Sequence, residues 1–68
     1  MSNSILEDLR LLRISKGYSQ QEFAELLGMS LRTLQGYETY RRIPSITILS
    51  YFKLILKNPD VILPLLKD

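Results

Sequence analysis

Apolar residues recur at helical spacing along nearly the whole chain, and short polar breaks separate one run from the next. This pattern predicts five helices, at about residues 4–16, 20–27, 31–39 and 45–57, with the last one beginning at residue 59. Strict alternation of apolar and polar residues does not extend over a useful length, so we predict no strand. The expected fold class is therefore all-α.

Residues with strong positional preferences mark the ends of the predicted helices. Ser19 and Glu22 have the spacing of a capping box at the start of the second helix, and Ser30 suits the N-cap of the third. Asn58 is placed to cap the fifth helix, ahead of a proline at its first position. Pro64 should make that last helix short or kinked, because proline lacks the amide hydrogen that a helix interior needs.

The segment from residue 20 to residue 39, QQEFAELLGMSLRTLQGYET, places two short amphipathic helices around Gly28. Ala24 is a small residue where the two helices would cross, and Gly28 can adopt the left-handed conformation of the connecting turn. Leu34 and Tyr37 form an inner pair on the second of these helices. This layout is that of a helix-turn-helix, whose second helix can enter the major groove of DNA. A helical hairpin with no DNA role would show the same corner and is the alternative interpretation.

Length and composition exclude several other classes of protein. With 68 residues the chain is expected to form a single DNA-binding domain, residues 1–68. It contains no cysteine and no histidine, so it lacks the residues of a disulfide, of most zinc sites and of the commonest general base. We therefore expect no enzymatic activity, no metal and no other cofactor. Apolar runs fall short of the roughly 20 residues of a membrane span and the N-terminus lacks a signal-peptide pattern, which indicates a cytoplasmic protein with no membrane partner.

Several short stretches of the chain resemble one family of DNA-binding proteins. They are Arg13, KGYSQQEFAELLGMS, Tyr37 with Glu38, and Arg41 with Arg42 ahead of Pro44. Through them the region from Leu9 to Leu66 resembles the XRE/Cro-type helix-turn-helix family of lambda-like repressors, and TLQGYETYRRIPS is similar to its HigA-type antitoxin branch. The resemblance implies a compact five-helix lambda repressor-like bundle, with the helix-turn-helix at helices 2 and 3 and with helix 3 as the reader of DNA.

The resemblance also implies a structural role for one pair of residues and exposes one departure. In the family, the residues equivalent to Arg13 and Glu38 form an ion pair that ties helix 1 to the end of helix 3, so we expect the same structural brace here. The family usually has glycine after helix 3, where Tyr40 stands in this chain. That glycine often lets a backbone amide approach a phosphate, whereas an aromatic residue with positive φ would be strained.

The outward face of helix 3 supplies the candidate base-reading residues, which are Leu31, Arg32, Gln35 and Gly36. Arg32 can hold O6 and N7 of guanine with its planar guanidinium group, Gln35 can pair with adenine or cytosine, and Leu31 can rest on a thymine methyl group. Ordinary exposed side chains are the alternative. Gly36 costs about 1 kcal/mol in a helix relative to alanine, so it either clears space for a base pair or backbone or is a tolerated surface glycine.

A second set of polar residues is expected to bind DNA phosphates, and it comprises Gln20, Thr33, Thr39, Arg41 and Arg42. Gln20 would lie at the N-terminus of helix 2, where the free amides and the helix dipole favour an anion. Arg41 and Arg42 follow the reader helix and can neutralise the phosphates beside it. A solvated loop is the alternative for this arginine pair. Because the net charge is only +2, the location of the cations matters more than their number.

Helices 4 and 5 carry apolar side chains in nearly all directions, more than a chain of 68 residues is expected to cover by itself. We therefore predict a homodimer, whose interface includes Tyr51, Ile55, Val61, Ile62, Leu65 and Leu66. A homodimer would set two reader helices about 34 Å apart on a palindromic site. A well-filled single core is the alternative.

Double-stranded DNA and a second copy of the chain are thus the expected partners. The predicted function is that of a sequence-specific transcriptional regulator, most simply a homodimeric repressor that blocks transcription sterically. The alternative is an antitoxin that binds a toxin protein through its apolar C-terminal helices and represses its own operon, as the likeness to the HigA-type branch implies.

Overall fold

Five helices make up the part of the chain that the structure describes. The computed structural model describes the backbone of residues 2–67 and the side chains of residues 5–67, so Met1 and Asp68, the ends of the predicted domain, lie outside it. The helices are α1 (Ser2–Ser15), α2 (Gln20–Leu27), α3 (Leu31–Glu38), α4 (Ile46–Lys57) and α5 (Pro59–Leu66). No strand occurs within residues 2–67, and the predicted all-α bundle of five helices is confirmed.

Serine caps begin three of these helices. The Ser19 hydroxyl accepts a hydrogen bond from the Glu22 amide at 3.0 Å, and the Glu22 carboxylate accepts one from the Ser19 amide at 2.9 Å, so the predicted capping box of α2 is confirmed. Ser30 and Ser45 cap α3 and α4 through their hydroxyl oxygens. Each cap contributes about 1 kcal/mol, because it satisfies an amide that has no partner inside the helix.

Two helix ends differ from the prediction. The first helix begins at Ser2, two residues earlier than predicted. Asn58 does not cap α5 with its side chain, because its backbone, at φ −142° and ψ 66°, departs from the extended conformation of a capping residue. Pro64 lies inside α5, which is a short helix of eight residues as predicted. Within residues 2–67 no helix combines the length and the apolar character that crossing a bilayer requires.

One cluster of apolar side chains joins all five helices. Its buried members are Leu6, Leu9, Phe23, Ala24, Leu27, Leu34, Tyr37, Phe52, Ile55 and Leu63. The ring of Tyr37 on α3 packs edge to face against Phe52 on α4, with the ring centroids 5.5 Å apart. The helix α3 packs on α2 and also contacts α1. Leu34 and Tyr37 on its inner side are buried in the core, and its opposite side faces solvent.

Candidate nucleic-acid interface

A tight turn at Gly28 joins α2 to α3. Gly28 has φ 78°, and its amide donates to the carbonyl of Glu25 at 3.2 Å. The amide of Met29 donates to the carbonyl of Ala24 at 3.0 Å, which completes a Schellman motif. Ala24 is buried, as expected of a small residue between crossing helices. The left-handed turn predicted from the sequence is confirmed, and it sets the direction in which α3 leaves α2.

An open groove of about 730 Å³ runs along the exposed side of α3. It is lined by Gln20, Arg32, Gln35, Gly36, Thr39, Arg41 and Arg42. Three of these residues are arginines and none is acidic. The structure thus brings together seven of the nine residues predicted to contact DNA, and it concentrates positive charge beside α3. The other two predicted contacts, Leu31 and Thr33, lie outside the lining.

A chain of hydrogen bonds runs from α1 to the exposed side of α3. Arg13 donates from Nε and Nη2 to the two carboxylate oxygens of Glu38, at 2.8 and 3.1 Å. The side chains of this ion pair are only 13% and 5% exposed. Gln20 donates from Nε2 to Glu38 at 3.0 Å, and Gln35 donates from Nε2 to Gln20 at 3.2 Å. The ion pair expected from the family resemblance is present, and it continues through two glutamines into the groove.

Gln20, which we predict to contact a phosphate, lies in the groove and is also engaged within the protein. Its side-chain amide lies between two neighbours, donating to Glu38 and accepting from Gln35. The arrangement orients the amide group of Gln35, whose carbonyl oxygen has no hydrogen-bond partner within residues 5–67. Positioning of Gln35 is therefore a role of Gln20 that the sequence did not reveal.

The arginine pair lies on a loop that folds back against Gly36. The amides of Arg41 and Arg42 both donate to the Gly36 carbonyl, at 2.9 and 3.1 Å. A Cβ atom at Gly36 would lie 3.1 Å from the Cβ atom of Arg42, which is closer than ordinary contact. The missing side chain of Gly36 thus makes room for this loop, which favours a packing role over a tolerated surface glycine. Arg32, Arg41 and Arg42 have no ion-pair partner among residues 5–67.

The two threonines predicted to contact phosphate are engaged within the protein. The hydroxyl of Thr39 donates to the carbonyl of Gln35 at 2.8 Å, so in this orientation it has no hydrogen left for a phosphate oxygen. Thr33 accepts a hydrogen bond from the Ser30 hydroxyl at 2.9 Å and keeps its own hydrogen. Leu31 is half-buried at the start of α3. Of the two hydroxyls, that of Thr33 keeps a free hydrogen, and its contact with phosphate stays a prediction.

Tyr40, two residues after the end of α3, has a left-handed backbone. Its φ is 61°, and within residues 2–67 it is the one residue other than glycine with positive φ. Its amide donates to the Tyr37 carbonyl at 3.2 Å and the Arg41 amide donates to the Gly36 carbonyl at 2.9 Å, which is a second Schellman motif. The strain expected for an aromatic residue at this position is therefore present.

The hydroxyl of Tyr40 makes a contact that sequence reasoning missed. It donates to Glu7 Oε1 at 2.6 Å, across 33 positions of sequence, so no local spacing could have revealed the pair. Arg10 donates from Nη2 to Glu7 Oε2 at 3.1 Å. The hydrogen bond from Tyr40, and after it the one from Arg10, lowers the pKa of Glu7, and the same bond raises the pKa of Tyr40. Both directions favour an ionised carboxylate that accepts from a protonated tyrosine.

Part of the predicted partner surface on α4 and α5 belongs to the core. Ile55 is fully buried in its own chain, so its predicted place in a dimer interface is wrong. A helix that is apolar all round presents one side to its own core, and Ile55 lies on that side. Tyr51 is half-buried and donates from its hydroxyl to the Leu27 carbonyl at 3.2 Å, and burial raises its pKa. Tyr51 therefore stabilises the contact between α4 and α2.

The rest of the predicted interface is at least partly accessible. Val61 and Leu65 are exposed and lie one turn apart on α5, while Ile62 and Leu66 are half-buried against the core. The structure adds exposed apolar residues that were not in the predicted set, namely Ile46 and Leu54 on α4 and Ile43 ahead of it. Leu65, at 70% exposure, is the most accessible of the predicted interface residues.

Sequence comparison relates this corner to known proteins. A family model described as helix-turn-helix matches residues 9–50, which is more than half of the chain and includes α2, α3 and the loop that carries the arginine pair. No curated protein and no solved structure matches the chain significantly. The proteins of this family are DNA-binding regulators and are typically not enzymes. The chain therefore belongs to the XRE-type helix-turn-helix family of DNA-binding transcription regulators.

Proposed function

We propose that this protein is a homodimeric transcriptional repressor that reads a palindromic operator by placing α3 in the major groove of DNA. The observation that carries the proposal is the groove along α3. Three arginines line it without a carboxylate, and an amide side chain points from α3 into it with its orientation fixed by Gln20. Such a surface fits a phosphate backbone and the polar edges of bases.

Each residue of the groove has a distinct role in this proposal. Arg32 reads a guanine through two hydrogen bonds, and Gln35 reads an adenine or a cytosine. Arg41 and Arg42 neutralise phosphates on the flank and set the register of the domain on the duplex. Gln20 acts mainly by holding Gln35, and the chain of bonds from Gln20 back to Glu38 and α1 supports this assignment.

The exposed apolar residues of the C-terminal half support the dimer. Val61 and Leu65 present a stripe on α5, and Leu54 adds a further exposed apolar side chain on α4. A second copy on this stripe would relate two reader helices by a two-fold axis, and the proposal requires them to lie about 34 Å apart so that they match one turn of DNA. Repression then follows because the bound dimer occupies promoter DNA.

Fluorescence anisotropy with the DNA upstream of the protein's own coding region tests the base-reading role. We expect Arg32→Ala to lower the preference for that DNA over a mixed-sequence duplex by roughly 10- to 100-fold, since a bidentate pair with guanine discriminates by about 1–3 kcal/mol. Lys53→Ala is the matched control, because it removes an exposed cation of α4 outside the groove. An Arg32→Ala protein that keeps its sequence preference would contradict the proposal.

The phosphate-binding role of the arginine pair is tested by the dependence of affinity on salt. Arg41→Ala and Arg42→Ala should each weaken binding to all duplexes alike. Each should also reduce the slope of log K against log salt by about 0.9 for every phosphate that the variant no longer neutralises. Wild-type affinity that does not change with salt would refute a phosphate-binding groove.

Sedimentation equilibrium tests the dimer. Leu65→Glu should give a folded monomer with much weaker operator binding, because it puts a charge in the proposed interface. Lys67→Glu is the comparison variant, since it places a glutamate on an exposed residue near the end of α5. Its change of net charge is larger than that of Leu65→Glu, which makes it a strict control for charge alone. Equal association of both variants and the wild type would argue against this interface.

The same exposed stripe supports a second candidate function, that of an antitoxin. A toxin protein, instead of a second copy, would cover Val61 and Leu65. Co-expression with the product of the neighbouring gene distinguishes the two. The antitoxin is favoured if the chain alone is a monomer and forms a stable complex with the neighbouring gene's product that Leu65→Glu disrupts. The repressor is favoured if the chain forms a dimer and does not bind that product.

A further inference from the structure

The turn after α3 holds a residue in a conformation that its side chain disfavours. Tyr40 has φ 61°, in the left-handed region where a Cβ atom crowds the following carbonyl. Glycine would adopt this turn without strain. Something in the fold must therefore offset the strain, and the tyrosine side chain itself supplies a candidate.

That side chain reaches from the end of α3 to the middle of α1. The hydroxyl of Tyr40 donates to Glu7 Oε1 at 2.6 Å, which is the shortest of the side-chain hydrogen bonds described within residues 5–67. The second oxygen of Glu7 accepts from Arg10 at 3.1 Å, which holds the carboxylate in place. The pKa of Glu7 is lowered and that of Tyr40 is raised by this contact, which agrees with a charge-assisted bond.

The turn at Tyr40 determines where the arginine pair begins. The amides of Arg41 and Arg42 both donate to the carbonyl of Gly36, and this return of the chain requires the left-handed residue between helix and loop. The side chain of Arg42 also packs over Gly36. If the turn opened, both arginines would leave the groove that Gly36 lines.

We propose that Tyr40 and Glu7 form a latch, a hydrogen bond between the end of α3 and α1 that holds the left-handed turn closed and so presents Arg41 and Arg42 to DNA phosphates. The proposal rests on the DNA-binding role proposed above and adds two positioning residues to it. Neither residue needs to touch DNA.

The charge of Glu7 makes the latch distinguishable from general electrostatics. A carboxylate near a DNA-binding groove repels phosphate. If Glu7 acted only through its charge, neutralising it should therefore strengthen binding to DNA. The latch predicts the opposite for Glu7. Asp8, the next residue of α1, is exposed and lies outside the groove lining, so Asp8→Asn is the matched control with the same change of charge.

The first measurement is binding to a mixed-sequence duplex by fluorescence anisotropy over a range of salt concentrations. Phosphate contacts do not depend on sequence, so the operator need not be known. We expect Tyr40→Phe and Glu7→Gln to weaken binding by about three- to tenfold and to lower the salt slope. The first variant removes the charge-assisted hydrogen bond, and the second leaves it only a neutral acceptor. Asp8→Asn should bind as tightly as the wild type or more tightly.

The second measurement does not involve DNA. Proteases cut locally unfolded segments fastest, so we expect cleavage by trypsin after Arg41 and Arg42 to accelerate when the loop opens. Mass spectrometry follows the rate of the first cut at these two bonds. The latch predicts that both variants raise this rate by about three- to tenfold, because Tyr40→Phe removes the bond that closes the turn and Glu7→Gln removes the charge that strengthens it. Asp8→Asn should leave the rate unchanged, and circular dichroism confirms that each variant is folded.

The two measurements separate the two proposals. If the wild type does not bind duplex DNA, the proposed function fails, and the trypsin rates alone then support or overturn the latch. If the wild type binds DNA while Tyr40→Phe and Glu7→Gln match Asp8→Asn in both affinity and cleavage, the latch is overturned and the proposed function stands. Should Tyr40→Phe fail to fold, Glu7→Gln carries both readouts.

Discussion

Replacement of Glu38 by glutamine perturbs the centre of the network that positions α3. The Glu38 carboxylate accepts two hydrogen bonds from Arg13, at 2.8 and 3.1 Å, and one from Gln20 at 3.0 Å, and its side chain is 5% exposed. In Glu38→Gln the shape is kept, but the negative charge is removed and the new amide group opposes one of these donors. The Arg13 guanidinium, 13% exposed, then keeps only the Tyr18 carbonyl as an undisturbed acceptor, at 3.0 Å.

The expected loss of stability is about 2–4 kcal/mol. Removal of one partner from a buried ion pair typically costs about 3–5 kcal/mol, and the retained carbonyl oxygen of glutamine reduces this figure. A domain of 68 residues has a total free energy of unfolding of roughly 3–10 kcal/mol, so the loss is a large share of it. Glu25→Gln should cost less than about 0.5 kcal/mol, because Glu25 is exposed and accepts only from Gln21 one turn earlier.

Urea unfolding followed by circular dichroism measures both variants. A Glu38→Gln protein within about 0.5 kcal/mol of Glu25→Gln would refute the reasoning, since it would mean that the shielded charge needs no partner. A double variant, Arg13→Met with Glu38→Leu, provides a second check. It should recover much of the loss, because it leaves neither charge unpaired in the shielded site. It should not recover DNA binding, because Gln20 loses its anchor.

Three further predictions concern the core, the corner turn and the latch. Leu34→Ala should lower the free energy of unfolding by about 2–5 kcal/mol in the same urea assay, since Leu34 is fully buried; a smaller loss would mean that the core refills the cavity. Gly28→Ala should cost about 1–2 kcal/mol through its left-handed φ alone, because nothing lies within 4 Å of the added Cβ, and an unchanged urea midpoint would contradict this. By NMR, Glu7 should titrate below the usual range of a glutamate, and Tyr40→Phe should raise its midpoint because the Tyr40 hydrogen bond is the largest cause of the lowered pKa. Equal titration midpoints of Glu7 in the wild type and in Tyr40→Phe would argue against the bond. The stability that this bond contributes is present at neutral pH and is lost as the pH falls through the lowered pKa of Glu7.

Features set by neighbours in sequence were predictable, because their physics is local. The capping box at Ser19, the left-handed turn at Gly28 and the periodic helices each depend on residues within about one turn of one another. The location of the groove followed from these, since a helix with an apolar inner face must present its polar face outward. Thus seven of the residues predicted to contact DNA do line one groove.

Features that depend on the packing of distant helices were not predictable from spacing. Tyr40 meets Glu7 across 33 positions and Lys16 meets Asp60 across 44, and neither pair has a local signature. The burial of Ile55 was not predictable either. A helix that is apolar on all sides does not reveal which side its own chain covers, so Ile55 was assigned to a partner surface although it fills the core.

The two polar ties at the end of α3 have one helix in common. Glu38 and Tyr40, two positions apart, are held by Arg13 and Glu7 respectively, and both of these lie on α1. The two anchors are six positions apart, which is about 9 Å along a helix. Two ties at separate points fix the direction of a segment as well as its distance, so α1 determines how the end of α3 is oriented. Because α1 is itself packed on α4, the groove is already formed in the free protein. The proposed binding of DNA would therefore lose little free energy to ordering the groove.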